Sequence, residues 1–301
     1  MILGIIAGFA AALFQSCSYL FSRKFMLKHN SSWLLVVYSQ FGMGILGLLT
    51  LPFADCGRLF ASPGEFAFWM TFWLITITLG QVSFFCALKE IEASKLSSLL
   101  GLKIIVLAVI FVLIFREKLN FGQYFAIALS ATAALLMNWS GGGRFSWRGL
   151  AFLAGALVTY SLADIAETKL VLMVAGGNLV SDGVAIGAVC YLLLGIITLP
   201  ALKFIKFDRR LLTGSFPFAV AWFYAMTALF VCFAGIGTVF GNVIHASRGI
   251  ISVALGVLVV KLGDRSIETP TDRRGWQRRL AAATLMLIAI TIYSIASQDH
   301  A

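Results

Sequence analysis

Runs of roughly 20 apolar residues, the length a helix needs to cross a hydrocarbon core about 30 Å thick, recur along the whole of this chain. In lipid only a helix satisfies its own backbone polar groups over such a run, short of a closed barrel. The runs predict ten spans, at 2–22, 32–53, 66–88, 96–115, 121–139, 149–171, 179–200, 213–233, 238–260 and 277–296. Composition agrees: 60% of the 301 residues are apolar and 12% charged, against roughly half and a quarter in soluble domains. The expected class is an all-α integral membrane protein with little left over for an extramembrane domain.

The first run begins without a basic leader, continues past the usual signal-peptide length and has Arg23 and Lys24 on its far side, so it reads as a retained span. A net charge of +10 raises nucleic acid as a partner, but the Lys and Arg sit in short loops beside apolar runs, and no nucleic-acid partner is expected. Cys17, Cys86, Cys190 and Cys232 fall inside spans and Cys56 in a loop, without paired spacing. Buried, inert thiols follow; no disulfide framework, metal site or cofactor is expected.

The chain repeats itself at an offset of about 146 residues. SYLFSRKFML from Ser18 lies over DIAETKLVLM from Asp164, with Arg23 above Lys169. FREKLNFGQ from Phe115 parallels LGDRSIE from Leu262, and Cys86 parallels Cys232. The Gly- and Ser-rich stretch from Gly141 to Gly149 suits a connection between repeats. The expected division is a five-helix repeat at 1–140, a linker at 141–148 and a second five-helix repeat at 149–301.

Five is odd, so the second repeat enters the membrane from the opposite side, giving ten transmembrane helices in two inverted five-helix repeats. Loop charge tests this. Seventeen Lys and Arg fall on one side and three, Arg58, Arg116 and Lys118, on the other. The positive-inside rule makes the first side cytoplasmic and puts both termini outside the cytoplasm.

ALKEIEAS (Ala87–Ser94) at the end of the third span and FREKL (Phe115–Leu119) at the end of the fourth resemble the "ALKYISAS" and "GERL" segments of the EamA family in the drug/metabolite transporter superfamily. The second half keeps a degenerate copy in AGIGTVFG from Ala234 and GDRSIE from Gly263. The resemblance implies a secondary transporter, an exporter in a bacterial inner membrane. It does not name the cargo, since similar proteins are associated with amino acids, nucleotide sugars, choline and drugs. The proline common in the fourth helix of such proteins is absent near Lys103.

Charge inside a span costs at least about 2.5 kcal/mol, so retained charges face a cavity or a partner. Lys103 in the fourth span and Arg248 in the ninth fall within about two positions of each other when the repeats are aligned. Together they suit a carboxylate or phosphate, Arg as a planar fork and Lys as a mobile point charge. The competing reading is that they neutralise Asp164 and Glu167 or reach to the nearer interface.

Asp164 and Glu167, three apart on the sixth span, share a face and are candidates for proton coupling, Asp164 the deeper. Glu167 has the alternative of pairing with Lys169 at the end of the span. Asn242, His245 and Arg248 recur every three residues as a stripe on the ninth span. Gln15, Ser18 and Tyr19 mark the first span and Gln81 the third. Trp222 and Tyr224, with Trp69 and Trp73, are pocket or interface-belt candidates.

The expected substrate is a small anionic or zwitterionic metabolite such as an amino acid, and the expected partners are that molecule and membrane lipids, in a monomer or homodimer. Without GxxxxGK[ST], HExxH or GxSxG, neither ATP hydrolysis by a phosphate loop nor a recognised membrane hydrolase is indicated. The alternatives are a lipid or lipid-carrier flippase and, further off, a membrane-embedded enzyme.

Overall fold

The computed structural model describes residues 1–54, 57, 61–91, 96, 99–116, 118–138, 146–174, 176, 178–205, 207–261 and 273–298. Cys56, Arg58, residues 92–95, Glu117, residues 139–145, Lys206 and residues 262–272 therefore lie outside the described residues. These include much of the expected linker and the GDRSIE segment.

The described helices are α1 (Ile2–His29), α2 (Ser32–Thr50), α3 (Pro63–Glu90), α4 (Lys103–Leu113), α5 (Phe121–Asn138), α6 (Trp147–Val174), α7 (Leu179–Ile205), α8 (Arg209–Ile236), α9 (Thr238–His245), α10 (Arg248–Lys261) and α11 (Arg273–Gln298). Seven helical stretches, Ile2–His29, Ser32–Phe53, Pro63–Glu90, Trp147–Val174, Leu179–Ile205, Arg209–Ile236 and Thr238–Val259, are long and apolar enough to cross a membrane. Leu100–Leu113, Phe121–Leu136 and Ala281–Tyr293 are shorter apolar helices.

Local chemistry sets the turns. Asn30 caps α1 in the left-handed conformation that Asn tolerates, and the Ser31 hydroxyl accepts from the Leu34 N–H to open α2. Asp208 opens α8 the same way through the Arg210 N–H. Gly237, at φ 77°, turns the chain from α8 into α9, a conformation that costs any other residue strain.

Helix pairing is regular. α1 packs along α8, α3 along α6, α2 along α7 and α5 along α11. α2 and α7 cross where a Cβ on Gly44 would stand 2.6 Å from the Gly195 Cα, so the two backbones touch directly. The surface is inverted relative to a water-soluble protein. Ile2, Leu49, Phe68, Leu113, Phe121, Ile197 and Phe204 are exposed, while Gln15, Gln81, Lys103, Asp164, Glu167, Asn242, His245 and Arg248 are buried. This is a multi-pass membrane protein.

One expectation changes. The ninth span is not a continuous helix: α9 ends at His245, Ala246 and Ser247 form a turn, and α10 restarts at Arg248. Asn242 and His245 therefore lie on α9 and Arg248 at the start of α10, and all three are buried. The polarity of this buried stretch is paid for by tertiary partners instead of helical periodicity. Cys190 and Cys232 are buried, whereas Cys17 and Cys86 are only partly so, because their helices turn those positions toward the periphery.

Candidate functional site

Two interrupted helices organise the interior. A 3-10 turn, Leu100–Leu102, precedes α4, and Lys103 is the first α-helical residue after it. Arg248 is likewise the first residue of α10 after the Ala246–Ser247 turn. The Ser161 hydroxyl of α6 reaches the Lys103 carbonyl at 3.4 Å, and the Ser16 hydroxyl of α1 donates to the Arg248 carbonyl at 3.0 Å. Both serines also donate to the carbonyl one turn back on their own helix, Leu157 and Ala12. Lys103 and Arg248, like Ser16 and Ser161, are 145 positions apart.

The two cations end on different partners. Lys103 Nζ lies 2.6 Å from Asp164 Oδ2, and the same oxygen accepts from Asn242 Nδ2 at 2.7 Å. Asn242 also donates to the Thr238 carbonyl, which fixes its amide. The Arg248 guanidinium donates to Gln15 Oε1 at 2.8 Å and contacts His245 Nδ1 at 3.2 Å. Since guanidinium has only donors, His245 Nδ1 is the acceptor there. Among the described residues no carboxylate pairs with Arg248. Its Nε, His245 Nε2 and the Ser247 hydroxyl are buried without a partner.

Glu167 lies one turn past Asp164 and is 1% exposed. Trp73 Nε1 donates to its Oε1 at 3.0 Å, and its Oε2 has no partner. It is held inside the protein by α3 instead of pairing with Lys169. Trp73 meets Tyr191 edge-on, and the Tyr191 hydroxyl accepts from Trp222 Nε1 at 3.1 Å. Trp222 in turn packs against Tyr19 and Tyr160, whose hydroxyls are both unpartnered. An aromatic wall therefore runs from the Glu167 carboxylate to the Tyr19 face of α1.

Gln81 stands in a second polar group. Gln40 Nε2 donates to Gln81 Oε1 at 2.9 Å, and the Thr198 hydroxyl donates to Gln40 Oε1 at 3.0 Å. Gln81 Nε2 is left unpartnered. Tyr224, near the middle of α8, is 51% exposed on the outer surface and lines no interior pocket, whereas Trp222 is 1% exposed.

Gln15, Tyr19, Gln81, Lys103, Asp164, Glu167, Trp222, Asn242, His245 and Arg248 are all buried. Contacts tie Lys103, Asp164 and Asn242 into one cluster, Gln15, His245 and Arg248 into a second, and Trp222 with Tyr19 into the aromatic wall. Sequence reasoning did not single out Ser16, Ser161, Tyr160, Tyr191 or Gln40. The two serines carry a signal in the sequence, the 145-position separation they share with Lys103 and Arg248; the others have none beyond a polar atom in an apolar run.

Over residues 2–139 the chain matches the EamA-like transporter family. The match stops short of the second half of the chain. EamA-like proteins belong to the drug/metabolite transporter superfamily, and the match suggests a membrane transporter of that type. No curated protein matches the chain. Among solved structures, one described only as a crystal structure of a protein shares 14% identity with this chain, with a TM-score of 0.69 over 99% of each. That likeness concerns the fold, and it extends through the second half, beyond the family match.

Proposed function

We propose that this chain is a ten-span secondary transporter, built as two inverted five-helix repeats, that carries a small anionic or zwitterionic metabolite such as an amino acid outward across a bacterial inner membrane. The observation that carries the reading is Arg248, a guanidinium 3% exposed at the restart of a broken span, with neutral partners. A permanently charged group buried without a counter-ion is costly, and proteins keep such groups at ligand and ion pathways.

Several features support the layout. The seven long stretches and three shorter apolar helices fall at the ten positions read from hydropathy. Replacing each span by the one five further on exchanges the α1–α8 pair with the α6–α3 pair and leaves α2–α7 and α5–α11 in place. The crossed bonds, Ser16 to Arg248 and Ser161 to Lys103, obey the same exchange. Such symmetry with broken helices at the centre is the arrangement that alternating access uses. The 17-to-3 loop charge supports cytoplasmic loops on the basic side and both termini outside.

In this reading Arg248, Gln15, His245, Tyr19 and Trp222 face the substrate, with Gln81 and Asn242 at its margin. Lys103 contributes field while paired to Asp164. Glu167, with one open oxygen, is the better placed of the two carboxylates to exchange a proton, and Asp164 is tied down twice. No cofactor is required, membrane lipids are the surrounding partner, and the protein works as a monomer or homodimer. Catalysis has no part in it.

Transport of a labelled amino-acid panel into everted membrane vesicles with and without the protein tests this. Protein-dependent accumulation of at least one compound is expected. Accumulation of none, with protein-dependent movement of a fluorescent phospholipid or polyprenyl phosphate, would replace the metabolite with a lipid cargo.

A further inference from the structure

Two buried cations, 145 positions apart, stand in similar settings, one paired with a carboxylate of the protein and one with neutral groups. Lys103 and Arg248 each begin a helix after a break, and each lends its carbonyl to a serine of the other half's first helix. In the register those serines define, the counterpart of Asp164 is Tyr19, 145 positions earlier. So where α6 offers Lys103 a carboxylate, α1 offers Arg248 a phenol. α1 contains no Asp or Glu at all. The nearest neutral group, Gln15, sits one turn from Tyr19 on the same face and already occupies one guanidinium nitrogen.

We infer that Arg248 is the anchor for a carboxylate supplied by the ligand, and that the Lys103–Asp164 pair is the same site permanently occupied by the protein's own carboxylate. This rests on the transporter reading above and adds to it the chemical group, the anchoring residue and the reason only one of the two cations takes part. Three independent polar atoms support it. Arg248 Nε, the adjoining Ser247 hydroxyl and the Tyr19 hydroxyl are all donors, all on residues at least nine-tenths buried, and none has a partner. A carboxylate accepts several hydrogen bonds through two oxygens and donates none, which is the complement of that set.

The test supplies Arg248 with an internal counter-ion. Gln15→Glu is nearly isosteric and places a carboxylate oxygen where Gln15 Oε1 now stands, 2.8 Å from the guanidinium. Purified protein is assayed by thermal shift against the common L-amino acids and their carboxamides. The expected result is that at least one amino acid stabilises the wild type and its carboxamide binds at least tenfold more weakly. Q15E should then be at least as heat-stable as the wild type without ligand and bind the same amino acid at least tenfold more weakly. Retention of full binding by Q15E, or equal binding of acid and carboxamide by the wild type, would overturn the assignment while leaving the transporter reading intact. The comparison of acid with carboxamide needs no variant, so it decides even if Q15E fails to fold. No stabilisation of the wild type by any of the amino acids would overturn the amino-acid reading and this inference with it.

Discussion

Lys103 and Arg248 each begin a helix after a turn, yet Lys103 ends on the Asp164 carboxylate at 2.6 Å and Arg248 on the Gln15 amide at 2.8 Å. The difference separates a cation paired with a carboxylate from one with neutral partners, and the proposals above rest on it.

The Lys103–Asp164 pair makes a stability prediction. Removing one member of a buried pair strands the other, which costs about 3–5 kcal/mol, whereas removing both together costs much less. Asp164→Asn should therefore lower the unfolding temperature strongly, and Lys103→Gln added to it should recover most of the loss. A double-mutant cycle by thermal unfolding in detergent measures the coupling; additive losses would show that the two side chains do not interact.

Trp73 positions Glu167, since its indole N–H is the bond that holds Oε1. Trp73→Phe keeps the aromatic packing with Tyr191 and removes that one bond. A bond of this kind inside a membrane protein averages about 0.6 kcal/mol, so stability should fall only slightly. Glu167→Gln should abolish the dependence of transport on an imposed pH gradient while substrate exchange at equal pH continues. Vesicle uptake with and without a gradient checks both, and an unchanged gradient dependence in Glu167→Gln would remove that carboxylate from coupling.

The α2–α7 crossing tolerates no side chain. A Cβ on Gly44 would meet the Gly195 Cα at 2.6 Å, and one on Gly195 would meet the Gly44 Cα at 2.5 Å, in both cases backbone that cannot yield cheaply. Gly44→Val should destabilise by about 1–3 kcal/mol or more, as overpacked cores do. Gly64→Val has nothing within 4 Å and should leave folding nearly unchanged. Thermal unfolding of the two variants side by side provides the comparison.

Orientation is open to a separate check. With both termini outside the cytoplasm, a C-terminal alkaline phosphatase fusion should be active and a C-terminal fluorescent-protein fusion dark. The reverse pattern would invert the topology without touching the fold.

Hydropathy made the helices legible. The positions at 2–22, 66–88 and 149–171 became α1, α3 and α6, each several residues longer because polar ends such as Lys28 and Glu90 extend a helix past the apolar core. The buried charges were legible as well, since lipid leaves an Arg or Asp few places to go. The break at Ala246–Ser247 was not legible, because neither residue is Gly or Pro and Ala favours helix. Tertiary contacts, among them the Ser16 bond to the Arg248 carbonyl, hold that turn. Nor could spacing tell which cation meets which acid: Lys103 and Asp164 are 61 residues apart, and only the packing of α4 on α6 brings them together.

Counterflow in proteoliposomes loaded with an amino-acid mixture tests the transporter claim most directly. Labelled substrate should accumulate transiently with the wild type and fall at least tenfold with Arg248→Gln at equal protein incorporation. Equal counterflow in the two proteins would contradict a site built on Arg248, and no counterflow with either, across the amino-acid panel, would contradict amino-acid transport itself.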